Sequence, residues 1–439
     1  MSTIAQVKEL LQRNLGPHAD ELARETHFVR RKRNLDGSDF IQGLVFGYLH
    51  QADATTEDLA QILQRREVNI SASGLCQRFT QAAAALVEQV MQELINEGMQ
   101  AEQPAPAELL GRFDAVIVED SSTITLPDKL KDIWKGCGGG QGQSEAGLKL
   151  HVRWDLKQGG LQGPLLTDSR QADQRSALRQ QGIPAGVLNI TDESYCSLEW
   201  LKEQEGFFLT RPNSRVCFLD RESGQELDLE HIGPKVSNGT WQGEVLVGKT
   251  AQLPARLIMV RVPEEVIDQR QERIRKEAKR RGKAQANPEV LMRAKWTMLI
   301  TNVPAHLLTI SEVIVLQRAR WQIERLFRLW KDGGKIDEWR GRTSWRILCE
   351  IYAKVMAMLI QHWLLVLGTW HDPYRSLVKA AKLVRQSALE LLSALAGELS
   401  WQRVTTRLLR AMQACRLHRR FKHPCHPQLL LEGLDWPLT

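Results

Sequence analysis

Residues Ser311–Lys331 read SEVIVLQRARWQIERLFRLWK. The spacing predicts one amphipathic helix. At 100° per residue, Gln317, Arg320, Glu324, Arg328 and Lys331 fall within about 40° of one direction, with Val315, Leu326, Leu329 and Trp330 opposite. One face is apolar and suited to a core. The other presents a single carboxylate flanked by cations. Gly333-Gly334 supplies the stop, because glycine enters the left-handed cap at least cost. Two readings remain open for this stretch alone. Arg320 and Glu324 can be an ordinary i,i+4 pair on a solvated face, or Glu324 can be part of a polar site.

Two aspartates upstream favour a site. Each closes an apolar run that reads as a buried strand. Phe113–Val118 leads through Glu119 to Asp120, with a second strand STITLP expected after it. Val187–Ile190 leads to Asp192. An Asp at a strand end also starts turns and caps helices, and Glu193 competes with Asp192 as the carboxylate of interest. Asp192 is preferred because it comes first after the strand. Two strands and a helix that deliver three carboxylates suit a pair of hard divalent cations, which take oxygen ligands and keep positions open for phosphate and water.

The composition fits a soluble, multi-domain chain. There are 439 residues, with 43% hydrophobic and 25% charged, enough for two or three domains. A net charge of +7 points to a polyanionic partner. Seven scattered cysteines fit a reducing cytoplasm better than a disulfide framework. Cys415, His418, His423, Cys425 and His426 crowd together, but their spacing matches no familiar zinc site and Arg and Lys interleave them, so a basic tail is preferred. MSTIAQVKEL carries no apolar run of a signal peptide. Ile347–Leu367 is long and apolar yet holds Glu350, Lys354, Gln361 and His362, so it reads as a core helix and not a membrane span.

In chain order, residues 1–100 read as helical, with basic residues at Arg30, Arg31, Lys32 and Arg33. Thr55 caps a short helix, and Ser71 caps a longer one, ASGLCQRFTQAAAALVEQVMQEL. That order is compatible with a helix-turn-helix, and equally with two helices of a bundle. GMQAEQPAPAE reads as a linker with nothing to bury; the boundary is set at 101–111. Strands are expected at Leu148–Leu156 and Pro164–Thr167. A helix follows at Gln171–Gln181, a second at Ser197–Glu205, and then a strand GFFLTR ending in Arg211. This alternation suits an α/β sheet covered by helices. Residues 213–304 interrupt it with short β-type runs and the charge-dense helix RQERIRKEAKRRGKAQ, which is either solvated or a nucleic-acid backbone contact. Residues 371–439 read as a helical C-terminal region.

The spacing Arg320, three residues, Glu324, six residues, Lys331 resembles the signature of the DDE transposases of the bacterial insertion sequence 4 family. VIVEDSSTITLP resembles that family's first-aspartate motif, and TDESYCSLEWLKEQEGFFLTR its second. The resemblance covers residues from about 25 to 370. It implies a ribonuclease-H-like catalytic core at 112–212 and 305–370, interrupted by a β-rich insertion, with an N-terminal helical DNA-binding domain. It implies that Asp120, Asp192 and Glu324 bind two Mg²⁺, with Mn²⁺ as a substitute, and that Arg320 and Lys331 hold DNA phosphates. Gln317 stands where the family has a Tyr, which leaves hairpin steps in doubt. Trp296 stands where relatives place a Trp that stacks on a flipped base; a buried strand Trp is the competing reading. The implied activity is cleavage at the ends of an insertion sequence and joining of the 3′-OH ends to target DNA. The partner is double-stranded DNA, bound by a homodimer in the cytoplasm, with no membrane involved. A metal-dependent nuclease without strand transfer, and a DNA-binding protein derived from a transposase, are the alternatives.

Overall fold

The computed structural model describes residues 3–31, 34–138, 144–232, 239–283, 285–420 and 424–433. Lys32, Arg33 and His423 of the basic stretches lie outside the described residues. The chain opens with six helices: α1 (Ile4–Leu15), α2 (Pro17–Glu25), α3 (Gly37–His50), α4 (Thr56–Gln64), α5 (Ala72–Arg78) and α6 (Gln81–Asn96). Strands follow: β1 (Val116–Leu126), β2 (Ala146–Asp155), β3 (Leu161–Asp168), β4 (Leu188–Ile190), β5 (Phe207–Thr210), β6 (Phe218–Asp220), β7 (Thr240–Val247) and β8 (Leu253–Arg261). Two helices, α7 (Glu264–Arg280) and α8 (Pro288–Arg293), precede β9 (Trp296–Thr301). The remaining labelled helices are α9 (Ile310–Ala319), α10 (Gln322–Arg328), α11 (Ser344–Thr369), α12 (Leu377–Gln386), α13 (Ala388–Leu395), α14 (Trp401–Met412) and α15 (His426–Glu432). The architecture is mixed α/β, as expected. Helices come first and last, around a nine-stranded mixed sheet ordered β3-β2-β1-β4-β5-β9-β8-β7-β6.

The chain divides into two compact units. The first comprises Met1–Pro106, Ser121–Gln171 and Gln322–Lys422; the second comprises Ala107–Asp120, Ala172–Trp321 and His423–Thr439. Within the first unit, α11 is the central helix and packs on α3, α6, α12 and α14. Nearly all of α11 is buried; long and apolar as it is, it serves as a core helix. Its polar residues are satisfied inside. Lys354 Nζ donates to the carbonyls of Lys335 and Glu338 at 3.2 and 2.7 Å and to Glu350 Oε1 at 3.1 Å. The Glu350 carboxylate accepts the N–H groups of Arg340 and Gly341. The pair therefore fastens the loop that follows α10 onto the core helix.

Within the second unit, β1, β4 and β5 run parallel, with Val118 opposite Ile190 and Ile190 opposite Leu209. β9 returns antiparallel beside β5, and β8 beside β9. The interrupting segment thus extends the same sheet. Phe208, Phe218, Val245, Leu257, Met259, Trp296 and Ile300 fill its core.

Several sequence expectations change in the fold. The Phe113–Val118 and STITLP runs are one strand, because β-branched Val, Ile and Thr continue through the Asp-Ser-Ser where turn chemistry would have stopped it. The single helix after Ser71 is two, since Thr80 acts as a new cap and accepts from Ala83 N at 3.3 Å. Gln171–Gln181 forms two 3-10 turns in place of an α-helix. The expected linker buries Met99, Ala101 and Ala105, and Ala101 and Ala105 donate their N–H groups to the carbonyls of Gln158 and Lys157. Small side chains there allow a close backbone approach that composition alone does not reveal. The Ser311–Lys331 helix is broken. α9 ends at Ala319, Trp321 N bonds the Arg318 carbonyl three residues back, and α10 gives way to a π-turn over Leu329–Gly333. The tightened turn and the widened one re-phase the side chains, so the 100° spacing no longer holds along the stretch.

Candidate active site

Two parallel strands bring the two aspartates near each other. Extending the register Val118–Ile190 by two residues sets Asp120 beside Asp192, at the carboxyl end of β4. Carboxyl ends of parallel strands are where such sheets present functional groups. Asp192 is positioned by its backbone: Thr191 N donates to the Leu209 carbonyl at 3.0 Å, and Thr210 Oγ1 to the Asp192 carbonyl at 3.3 Å. Arg320, buried at the end of α9, joins the pair. Its Nη1 donates to Asp120 Oδ2 at 3.2 Å, and its Nη2 lies 3.9 Å from Asp192 Oδ2. A guanidinium fork suits this bridging, because its two ends are donors held in one plane. Glu193 is turned elsewhere and accepts from Ser214 N at 3.3 Å.

Beside Arg320 opens a cavity of about 510 Å³ lined by five arginines: Arg211, Arg261, Arg270, Arg318 and Arg320. Gln317, Thr297, Trp321 and His426 complete the polar and aromatic lining. Gln317 is 8% exposed, and its Oε1 has no hydrogen-bond partner among the described residues. Arg270 is fixed by bonds to the Trp296 carbonyl and Thr297 Oγ1, and burial followed by the charge of Arg211 pulls its pKa below the usual guanidinium value. Trp321 is 45% exposed, its ring 6.5 Å from that of His426. Such a cavity can hold anionic groups beside planar rings.

For Trp296 the sequence left two readings, a base-stacking ring and a buried strand Trp. It is 5% exposed, packed in the β-rich core with Arg261 over its ring at 5.5 Å. The exposed aromatic at the cavity is Trp321, which sequence reasoning passed over; helical phasing puts it about 60° from Glu324, at the edge of the polar face. Arg261 was missed as well, whereas Arg270 opens the charge-dense helix that the sequence had singled out.

Glu324 and Lys331 belong to the first unit. Glu324 lies in the first turn of α10 and is partly buried. Lys331 sits in the π-turn, where its Nζ donates to the Thr123 carbonyl at 3.0 Å. The same unit contains a cavity of about 810 Å³ among the N-terminal helices, lined in part by Arg30, Arg31, Gln77 and Arg78.

Residues 111–360 match the family described as "Transposase DDE domain". The chain is 26% identical over 380 residues to the transposase for insertion sequence element IS231F of Bacillus thuringiensis subsp. israelensis, covering 80% of this chain and 78% of that protein. It is 22% identical over 368 residues to the transposase for insertion sequence element IS1151 of Clostridium perfringens, covering 78% and 76%. With the putative transposase InsL for IS186A of Escherichia coli (strain K12) it shares 26% identity over 231 residues, covering 50% and 61%. The chain belongs to the DDE transposase family. Its relatives place this transposase in the insertion sequence 4 type.

Divalent metal use is implied by that family. Asp120 and Asp192 fit it: two carboxylates already converge on one cationic group, the Arg320 guanidinium. Among the described residues, no three His, Cys, Asp or Glu side chains gather into a group that would hold a metal ion. Asp120 and Asp192 belong to the second unit and Glu324 to the first; within the second unit, Arg320 supplies the charge between the two aspartates.

Proposed function

We propose that this transposase binds the terminal inverted repeats of its own insertion sequence, cleaves phosphodiester bonds at the element ends and joins the 3′-OH ends to target DNA. The observation that carries the reading is the pairing of Asp120 and Asp192 through Arg320 beside an arginine-lined cavity. The strand order β3-β2-β1-β4-β5 supports a ribonuclease-H-like core, with β6–β9 as its insertion. Asp120, Asp192 and Glu324 are the residues proposed to hold two Mg²⁺, which when bound would polarise the phosphorus–oxygen bond and make bound water acidic.

The protein's own groups have distinct tasks in this reading. Arg320 keeps both aspartates oriented and offers its guanidinium to phosphate. Arg211 and Arg318 line the path of the backbone, and Lys331 contributes a point charge. Gln317 has an amide in the cavity where the family carries a phenol, so it offers a hydrogen bond without a ring. The N-terminal helices, with Arg30, Arg31 and Arg78, are proposed to bind the element end. This work on DNA would be done in the cytoplasm.

The test is incubation of the purified protein with a fragment bearing its element's end, in Mg²⁺ or EDTA, beside Glu324→Gln. Mg²⁺-dependent nicking at the end, absent in Glu324→Gln although binding persists, is the expected result. Nicking without joining to target DNA makes the protein a nuclease. Binding without cleavage removes the catalytic claim. Hairpin products would show that Gln317 suffices for that step.

A further inference from the structure

We propose that the second half of α7, with the turn after it, is a docking track for the phosphate backbone of duplex DNA. The proposal rests on the DNA-processing reading above and adds a surface to it.

α7 is built in two halves. Ile267 is its single buried residue among those described. Arg270 bonds β9 as described, and Gln271 Nε2 donates to the Leu291 carbonyl at 3.0 Å. Beyond Gln271, the side-chain hydrogen bonds and ion pairs among the described residues stay within the helix and its turn. Residues 273–283 hold seven Lys or Arg and one carboxylate, Glu277. All seven cations are exposed.

Local ion pairing does not account for this charge. Lys276 pairs with Glu272 at 2.8 Å, and Glu277 takes both Arg280 and Arg281. Arg273, Lys279 and Lys283 have no carboxylate partner among the described residues. A solvated helix held by i,i+4 pairs would alternate its signs, and like charges on neighbouring turns weaken it by a few tenths of a kcal/mol each. The helix dipole favours cations only in the last turn, and Arg273 and Arg275 precede it. A polyanion laid along the helix resolves the repulsion.

Position supports the same occupant. Val266 and Arg270, at the root of the helix, line the arginine-rich cavity with Arg320. The helix therefore roots in the cavity that Arg320 also lines, within one unit. From Arg273 to Arg280 the helix runs about 10 Å, the axial rise of about three base pairs, and Arg281 and Lys283 follow in the turn. Lys and Arg spread along an exposed helix suit phosphate contacts, which position a protein on the duplex without reading its sequence.

The test uses the full chain with Arg273→Gln, Lys276→Gln and Lys279→Gln combined, since Gln keeps helix propensity; circular dichroism and melting verify the fold. A control carries Arg215→Gln, Arg221→Gln and Lys249→Gln, the same charge change elsewhere in the unit. Binding to a duplex of arbitrary sequence is measured by fluorescence anisotropy across a salt series. The expected result is a log K against log salt slope smaller by about 2 to 3 in the α7 variant, at about 0.9 for each phosphate no longer neutralised, and smaller by less than about 1 in the control. An unchanged slope in the α7 variant, or an equal decrease in the control, overturns the proposal. In either case, Mg²⁺-dependent nicking by the wild type leaves the transposase reading standing. A wild type that binds no duplex at all overturns both.

Discussion

At the scale of single residues, Arg320 is the group on which the site turns. It is buried, and it neutralises two carboxylates that would otherwise repel across neighbouring strands. Arg320→Ala should lower stability by about 1–3 kcal/mol, because a charge-assisted bond is removed and the carboxylates are left facing each other. Mg²⁺ should then raise the melting temperature more in Arg320→Ala than in the wild type, since the guanidinium no longer competes for the aspartates. Equal responses to Mg²⁺ in thermal melts would count against Asp120 and Asp192 as metal ligands. Arg320 and Asp192 were both legible in the sequence as candidates. Their partnership was not, since helical spacing offered Glu324 as the obvious companion of Arg320.

At the scale of elements, α11 shows how a helix apolar enough for a membrane is used as a core. Its His362 is 1% exposed, donates from Nε2 to the Gly159 carbonyl at 2.7 Å, and is pushed down to a pKa of about 4 by burial. The folded chain therefore keeps this imidazole neutral, while the unfolded chain takes up its proton near the ordinary value of 6.5. Stability from this group is present above about pH 6.5 and is lost as pH falls towards 4, by an amount on the order of 3 kcal/mol. Melting temperatures from about pH 7.5 to 4.5 should fall, and His362→Gln should flatten part of that decline. A decline of the same size in His362→Gln would mean other groups cause it. The broken α9–α10 stretch teaches the complementary lesson. Its Thr309–Glu312 capping box is a local signal, but the turn at Arg320–Trp321 has no strong breaker in residue order. The expected left-handed glycine stop is not formed: Gly334 stays right-handed at φ −97° and the positive φ, 46°, falls on Lys335.

At the scale of the whole molecule, a net charge of +7 and a basic site suit DNA, and the proposed chemistry needs one active site for each element end. Light scattering of the protein with end-bearing DNA should give a protein mass twice 49.9 kDa. A complex with one chain per DNA would contradict the paired-end arrangement. The nine-stranded sheet also changes the meaning of the insertion. Sequence marked residues 213–304 as an interruption, yet β9 pairs with β5, so the added strands lengthen the same sheet.

The sequence by itself determined the α/β class, the apolar runs that lead to Asp120 and Asp192, the helical region that carries Glu324, and the family. These depend on local periodicity, capping residues and short-range spacing, all written in residue order. Tertiary structure alone decided that Arg320 bridges the aspartates, that Trp296 is buried while Trp321 is exposed, and that the 101–106 stretch is pinned. It also gathered five arginines into one cavity. Those outcomes join residues up to 200 positions apart, such as Arg320 and Asp120, and depend on which face each element buries. Packing settles that, and residue order does not.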